Sequence, residues 1–341
     1  MAGCAAMVVP ERPVLVAPDS FKGTFRAPEV AAAIGRGLER AGLMPPDLCP
    51  VADGGEGTLE ALLPQLGGEV VGADAHDPLG RELRVSFGLV EDGGTAIVET
   101  ATASGLSLVA EPERDAWAAS TYGTGELIAA AAQAGAAAIL VAVGGSATSD
   151  GGAGALEAIE DAGGLGGAKL VVLCDVRTPF EHAPKVFGPQ KGADPAMVAR
   201  LEQRLAALAA RWPRDPRGVP MTGCAGGLSG GLWAVHGATL EPGAPWVLDA
   251  LGFEARMRAS RAVVTGEGAL DQQTLHGKLV GEIGTRARQA GVPLHAVVGT
   301  DRLDAFGKRM IDLMRVIEAT DLEEMEAAGE TLGRELTEGR A

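Results

Sequence analysis

The sequence alternates short β-branched runs with amphipathic helical patterns, and this alternation is the feature that most constrains its fold. The run PVLVAP predicts a buried strand, after which Val30, Ile34 and Leu38 recur at helical spacing before a stop at Gly42. Further strand-like runs follow at DLCPV, AILVAVG, KLVVLCDV, RAVVTG and LHAVVG. Strands that alternate with helices are typical of parallel sheets covered by helices. We therefore predict an α/β fold with mainly parallel sheets.

One region departs from this alternation. The segment RELRVSFGLVEDGGTAIVET has apolar residues at period two on both sides of a Gly-Gly pair, which predicts a β-hairpin. A chain of 341 residues, 46% of them hydrophobic, is long enough to form two domains. We predict a change of domain near Gly72, before the hairpin.

Composition and charge limit the classes of partner that the chain is expected to bind. The net charge of −16 disfavours binding to nucleic acid or to an anionic membrane. No apolar run approaches the roughly 18 residues of a membrane span, and the segment MAGCAAMVVPERP lacks the pattern of a signal peptide. The four cysteines lie far apart and without metal-ligand spacing, which favours a reducing compartment. We expect a cytoplasmic protein that binds neither nucleic acid nor membrane.

Five predicted loops, each placed after a predicted strand, combine glycines with acidic side chains. In open α/β sheets such loops meet at the carboxyl ends of the strands, where ligands bind. Glycine makes up 50 of the 341 residues, about twice the usual ~7%, so backbone can approach a ligand closely. The acidic residues of these loops are Asp19, Asp53, Glu56, Asp150, Asp175, Glu267 and Asp271.

These loops carry the residue types that Mg-nucleotide phosphoryl transfer requires. Carboxylates can hold the metal or accept a hydroxyl proton, while lysines and backbone N–H groups bind phosphate oxygens. Four of the six lysines lie beside a glycine, in FKGT, QKGA, HGKL and FGKR. A single Asp after a strand is more often a helix cap or a turn former, so the prediction depends on the whole set.

Three common motifs do not fit. Lys278 is followed by Leu279, whereas a Walker A loop has Ser or Thr there. The segments GTGELI and GEGALD lack the third glycine of a dinucleotide-binding fingerprint. GLSGG matches GxSxG around Ser229, but no strand precedes it, which disfavours a serine hydrolase. The segment GCAGGLSGG is as consistent with close packing as with binding.

The motifs APDSFKG, PVADGGEGT, VETATASGL, GTGELI, GGSATSDGGAG, VFGPQKGA, GCAGGL and TGEGALDQQTLHGK occur in this order along the chain. In order and spacing the chain resembles the bacterial glycerate kinase family of the glycerate 2-kinase type, from Val14 to beyond Gly299. The resemblance implies ATP-dependent phosphorylation of D-glycerate with Mg²⁺, giving 2-phosphoglycerate, with 3-phosphoglycerate left open. It also implies two three-layer α/β domains, one inserted into the other, with the active site in the cleft between them.

Combined with the hairpin, the resemblance predicts a first domain of residues 1–71 plus 290–341 and an inserted second domain of residues 72–289. A monomer or a homodimer is expected. The chain departs from the family pattern at Thr178, where Asn is usual, at Ala269, where a basic residue is usual, and at Val280, where proline is common. These departures leave open a kinase for another small hydroxy acid. A sugar-acid sensor without catalysis on the same scaffold is the alternative from another class.

Roles are assigned from the loop chemistry together with the resemblance. Asp53 and Glu56 are expected to face the acceptor hydroxyl or the metal, and Asp53 is the better candidate for the base because it directly follows the predicted strand. The catalytic set is completed by Asp19 and by Lys22, which would neutralise the phosphoryl group or the glycerate carboxylate. The candidate Mg²⁺ ligands are Asp150, Glu267 and Asp271. The candidate substrate- and nucleotide-binding residues are Ser20, Gly54, Gly55, Thr58, Gly145, Ser146, Lys191, Gly266, Gly268 and Lys278.

Overall fold

The computed structural model describes residues 11–21, 23–272, 274–276 and 278–339. No helix in these ranges combines the length and the apolar character needed to cross a bilayer. In chain order the elements are β1 (Val14–Pro18), α1 (Ala27–Arg40), β2 (Asp47–Leu48), α2 (Thr58–Leu66), β3 (Gly68–His76), β4 (Glu82–Val90), β5 (Thr95–Glu99), α3 (Thr100–Ser104), α4 (Tyr122–Gln133), β6 (Ala138–Val143), α5 (Ala153–Asp161), β7 (Lys169–Cys174), α6 (Ala183–Phe187), α7 (Pro195–Ala209), α8 (Cys224–His236), β8 (Thr239–Pro242), α9 (Gly243–Ala250), α10 (Phe253–Ala259), β9 (Ala262–Leu270), α11 (Leu279–Ala290), β10 (Leu294–Asp301), α12 (Ala305–Met310), β11 (Leu313–Glu318) and α13 (Leu322–Thr337).

The chain divides into two compact units. The terminal unit comprises the described residues up to Val51 and from Gly252 onward, and the central unit comprises Ala52–Leu251. This division differs from the predicted one, which changes domain after residues 71 and 289. The second boundary differs because β9 pairs with β1 in the sheet of the terminal unit, although more than 200 residues separate them in sequence. The first boundary differs because α2 and β3 pack against β4 in the central unit.

The terminal unit is built on a parallel sheet of five strands in the order β11-β10-β9-β1-β2. Helices α1 and α13 pack against each other, and their apolar residues share one core with β1, β9 and β10. Ile34 and Leu332 lie in that core beside Val16 and Val264. β1 and the first three residues of β9, Ala262 to Val264, are apolar on successive positions and buried, as expected of strands covered on both faces.

The central unit is built on a mixed sheet of six strands in the order β3-β4-β5-β6-β7-β8. Strands β3, β4 and β5 pair antiparallel, which confirms the predicted hairpin, whereas β5 to β8 pair parallel. The core of this unit packs the apolar faces of α4, α5 and α8 against the sheet. Because β5, β6, β7 and β8 run in one direction, the segments that follow them lie along one edge of the sheet.

Candidate functional site

The predicted site residues are distributed over both units. In the central unit lie Asp53, Gly54, Gly55, Glu56, Thr58, Gly145, Ser146, Asp150 and Lys191. In the terminal unit lie Asp19, Ser20, Gly266, Glu267, Gly268, Asp271 and Lys278. The predicted catalytic residue Lys22 falls outside the described residues.

Asp53 lies buried in the turn that leads into α2. Its Oδ1 accepts a hydrogen bond from the Gly55 N–H at 3.1 Å. The Thr58 hydroxyl at the start of α2 donates to the Gly55 carbonyl at 2.7 Å, so the turn is tied to the helix. These bonds fix the backbone around Asp53 and hold its carboxylate on a short, glycine-rich turn.

The glycines of this turn bring it against the sheet edge of the central unit. Gly54 has a φ of +91°, and a Cβ at that position would lie 2.5 Å from the Gly243 Cα, at the start of α9. A Cβ on Gly55 would lie 3.3 Å from the Gly144 Cα, just after β6. Glu56 reaches the same place, since its Oε2 is 3.8 Å from the position of a Cβ on Gly145. The turn therefore places two carboxylates beside the loop that follows β6.

A pair of glycine substitutions separates backbone strain from this close approach. Gly57 has the same φ of +91° as Gly54, but a Cβ there would meet no atom within 4 Å. We expect Gly57→Ala to cost about 1 to 2 kcal/mol of unfolding free energy through strain alone. Gly54→Ala adds an overlap with the backbone of Gly243, which typically costs about 1 to 3 kcal/mol more. Equal losses in urea denaturation would contradict the packing described for this turn.

Lys191 supports the loop that follows β6. Its side chain is only 2% exposed, and its Nζ donates to the Ser146 hydroxyl at 3.0 Å and to the Thr148 carbonyl at 2.6 Å. Burial lowers the pKa of Lys191 to about 8, although the nearby carboxylates of Asp150 and Asp175 favour its charged form. Lys191 and Ser146, two predicted binding residues, are thus in direct contact.

The segment GCAGGLSGG packs against the same loop. Residues Ala225–Gly227 have left-handed backbone angles inside α8, and a Cβ on Gly226 would lie 2.0 Å from the Thr148 carbonyl oxygen. The Gly226 carbonyl also accepts from the Gly151 N–H at 3.1 Å. Ser229 is buried and donates to the Met221 carbonyl at 2.7 Å. These contacts give the segment a packing role in the central unit.

Asp150, a predicted metal ligand, is engaged in hydrogen bonds inside the central unit. Its carboxylate is buried and accepts from the Thr121 N–H and hydroxyl and from the N–H groups of Gly152 and Gly154. These donors lie at the starts of α4 and α5, so Asp150 joins two helix N-termini. Metal binding by Asp150 stays a prediction, and it would have to compete with four hydrogen bonds.

Glu99 is a candidate that the sequence reasoning missed. It is the last residue of β5, is buried, and its Oε1 accepts from the Leu59 N–H at 2.8 Å. Burial, reinforced by the charge of Glu56, raises the pKa of Glu99 to about 7. The signal was present in the motif VETATASGL, where an acid again stands at the end of a β-branched run. It was missed because a helix without glycines comes next instead of a glycine-rich loop.

In the terminal unit, Asp19 directly follows β1, whereas Glu267, which the sequence pattern placed in a loop, lies inside the neighbouring parallel strand β9. Pro18 pairs with Gly266, and the Asp19 N–H donates to the Gly266 carbonyl at 2.8 Å, so the residue that follows each partner of this pair is an acid. Both side chains are buried. The Asp19 Oδ1 accepts from the Ser20 N–H at 2.7 Å, and the Glu267 Oε1 accepts from the Thr274 hydroxyl at 2.7 Å.

Asp271 and Lys278 lie further along the same segment of the terminal unit. The Asp271 N–H donates to the Thr274 hydroxyl at 3.2 Å, which links Asp271 to the residue that contacts Glu267. Lys278 is partly exposed and directly precedes α11. Val280, a departure from the family pattern, is buried in that helix.

Within the described ranges, no three His, Cys, Asp or Glu side chains form a group that could hold a metal ion.

Together the fold and these loops define an α/β protein with acidic, glycine-lined loops near the carboxyl ends of parallel strands, where α/β proteins bind their ligands. The sequence profile of the glycerate kinase family matches residues 14–162 and 160–337. The chain therefore belongs to the glycerate kinase family, as the resemblance in the sequence had indicated.

Individual relatives agree with this assignment. The chain is 37% identical to "Glycerate 2-kinase" of Escherichia coli strain K12, over 88% of each chain. It is 38% identical to "Glycerate kinase" of Bacillus subtilis strain 168, over 86% of each chain. Its structure matches a crystal structure described as "putative glycerate kinase 2 from Salmonella typhimurium LT2" with a TM-score of 0.80 and 33% sequence identity, covering 97% of this chain and 99% of the other.

Proposed function

We propose that this enzyme transfers the γ-phosphoryl group of ATP to D-glycerate, with Mg²⁺, and forms 2-phosphoglycerate. Membership of the glycerate kinase family supports glycerate as the acceptor. The relative from Escherichia coli, named glycerate 2-kinase, supports the 2-hydroxyl as the position phosphorylated. The observation that carries the proposal is the buried Asp53 on its glycine turn, packed against the loop after β6.

In the proposed reaction Asp53 is the general base. The 2-hydroxyl oxygen of glycerate forms a bond to the γ-phosphorus while the bond from that phosphorus to the bridging oxygen of ATP breaks. The hydroxyl proton passes to Asp53, and ADP leaves. Glu56, on the same turn, has the chemistry to bind a hydroxyl of the substrate.

The loop after β6 is proposed to bind phosphate oxygens. Gly145 has a left-handed backbone, and the N–H groups of Gly145 and Ser146 are the proposed donors to an anion, whereas the Ala147 N–H donates to the Ser104 carbonyl. Lys191 lies behind this loop and supplies positive charge through the Ser146 hydroxyl. A buried ammonium in a low-dielectric setting acts on a phosphate more strongly than an exposed one.

Asp19 and Glu267 are the residues proposed to hold Mg²⁺. Two carboxylates suit this ion, because Mg²⁺ in nucleotide sites is bound by one or two carboxylates together with waters and phosphates. When bound, the ion would neutralise charge on the phosphates of the nucleotide. Asp271, linked to Glu267 through Thr274, is proposed as a supporting carboxylate.

A substrate panel tests the proposal. ADP release is measured with ATP, Mg²⁺ and, in turn, D-glycerate, L-glycerate, tartronate and lactate. We expect the highest kcat/KM with D-glycerate, and loss of turnover when the divalent ion is chelated. A preference for another acid would indicate a kinase for a different small hydroxy acid. If no acid stimulates ADP release but D-glycerate still binds, the protein is a sensor and the proposed reaction is wrong.

A further inference from the structure

Glu99 occupies a rigid position at the sheet edge of the central unit. It ends β5, where its backbone pairs with Ala142 of β6, and Val98 just before it is fully buried. Its carboxylate leaves the strand in the direction of α2. A side chain that begins on a strand inside a sheet can hold a neighbouring segment more firmly than a loop residue can.

The carboxylate of Glu99 supplies the cap that α2 lacks. The residue before α2 is Gly57, which has no side chain to accept the free N–H groups of the first turn. Glu99 accepts from the Leu59 N–H at 2.8 Å and from the Gly57 N–H. A carboxylate at this end of a helix is also favoured by the helix dipole.

The first turn of α2 is in turn bonded to the turn that carries Asp53. Thr58, which lies between the two residues bound by Glu99, donates to the Gly55 carbonyl at 2.7 Å. The Gly55 N–H donates to Asp53 Oδ1 at 3.1 Å. A chain of hydrogen bonds therefore runs from β5 through the start of α2 to the proposed base.

We propose that Glu99 is a positioning residue for phosphoryl transfer, which holds the Asp53 turn on β5 through the N-terminus of α2. This inference rests on the proposed function. Glu99 acts on the reaction through Asp53 and not by touching the substrate. The charges of Glu56 and Glu60, on the segment that Glu99 holds, both oppose the ionisation of Glu99. A buried carboxylate facing two other acids is a costly way to cap a helix.

Two variants separate positioning from simple stability. Glu99→Gln keeps an oxygen acceptor for the Leu59 N–H, whereas Glu99→Met keeps the length of the side chain and removes the acceptor. The matched control is Glu126→Met, since Glu126 also accepts a backbone N–H from another element of the central unit, that of His76 at 2.8 Å. For each variant we measure kcat, the KM values for D-glycerate and ATP, and the melting temperature.

We expect Glu99→Met to lower kcat about 10- to 100-fold, the scale of a misplaced catalytic group, with the KM for ATP little changed. Glu99→Gln should recover most of the lost kcat, and Glu126→Met should lower the melting temperature while kcat stays near that of the wild type. If Glu99→Met does not fold, Glu99→Asp, which shortens the reach of the carboxylate, replaces it with the same expected fall in kcat.

A kcat unchanged in the variant that loses the acceptor, or a Glu99→Gln enzyme as slow as that variant, would overturn the positioning role. Either result leaves the proposed function intact, because the wild-type enzyme remains active in the same assay. A wild-type protein that releases no ADP with any acid overturns both.

Discussion

Asp53→Asn is expected to lower kcat for D-glycerate phosphorylation about 10²- to 10⁴-fold, the usual contribution of a general base. The amide cannot accept the hydroxyl proton. Its Oδ1 can still accept the Gly55 N–H, so the turn keeps its shape and the KM for ATP should stay near the wild-type value. Steady-state kinetics with purified protein and circular dichroism of both proteins make the comparison.

Asp77→Asn is the control for this substitution. Asp77 is also a buried aspartate of the central unit whose Oδ1 accepts the N–H of the residue two positions on, Leu79, at 2.8 Å. It lies in the turn between β3 and β4, and its carboxylate is bonded within that turn, to the N–H groups of Leu79 and Arg81 and to the Arg81 guanidinium. We expect its kcat to remain within about threefold of wild type, since carboxylates that only shape a turn affect stability and not chemistry. A near-normal kcat for Asp53→Asn would remove Asp53 from the mechanism.

Lys191→Met is expected to lower kcat by about 10²- to 10³-fold, the loss seen when one donor to a developing charge is removed. The change takes away the ammonium that donates to the Ser146 hydroxyl and leaves the Thr148 carbonyl without its 2.6 Å donor. Lys185→Met is the matched control, because Lys185 is exposed on α6. Equal, small effects of the two substitutions would show that Lys191 has no part in phosphate binding.

The stability of these two variants should also differ in its pH dependence. The pKa of Lys191 is lowered to about 8 in the folded protein, whereas an unfolded lysine titrates near ~10.4. Between these values the unfolded chain binds one proton more, so the free energy of unfolding rises as pH increases from about 8. We expect Lys191→Met to lack this part of the rise and Lys185→Met to keep it, as measured by urea denaturation at several pH values.

Much of the fold follows from local patterns. Alternating apolar runs and helical periods predicted the parallel α/β architecture, and the period-two segment around the Gly-Gly pair predicted the antiparallel β4–β5 pair. The boundaries between the two units could not be predicted from local patterns. Strand β9 belongs with β1 because of backbone pairing across most of the chain, and no local pattern encodes which strands become neighbours.

The candidate site, too, could be predicted only where it depends on local sequence. Acids after strands could be found from sequence, because strand ends and glycine-rich loops have local signatures. The hydrogen-bond partners of each acid could not be predicted, because they lie far away in the sequence. Asp150 receives its hydrogen bonds partly from Thr121, and Lys191 reaches Ser146 from 45 residues away. Glu99 could not be recognised as a candidate at all, because no glycine-rich loop follows it and its partner Leu59 lies 40 residues earlier.

The most direct test of the proposed reaction is phosphorus NMR of the mixture formed from the wild-type enzyme, ATP, Mg²⁺ and D-glycerate. Phosphate on the 2-hydroxyl couples to the single proton of its carbon and gives a doublet, whereas phosphate on the 3-hydroxyl couples to two protons. We expect one new phosphomonoester doublet that grows in proportion to ADP. A product signal coupled to two protons would contradict transfer to the 2-hydroxyl, and the absence of any new phosphomonoester would contradict glycerate phosphorylation itself.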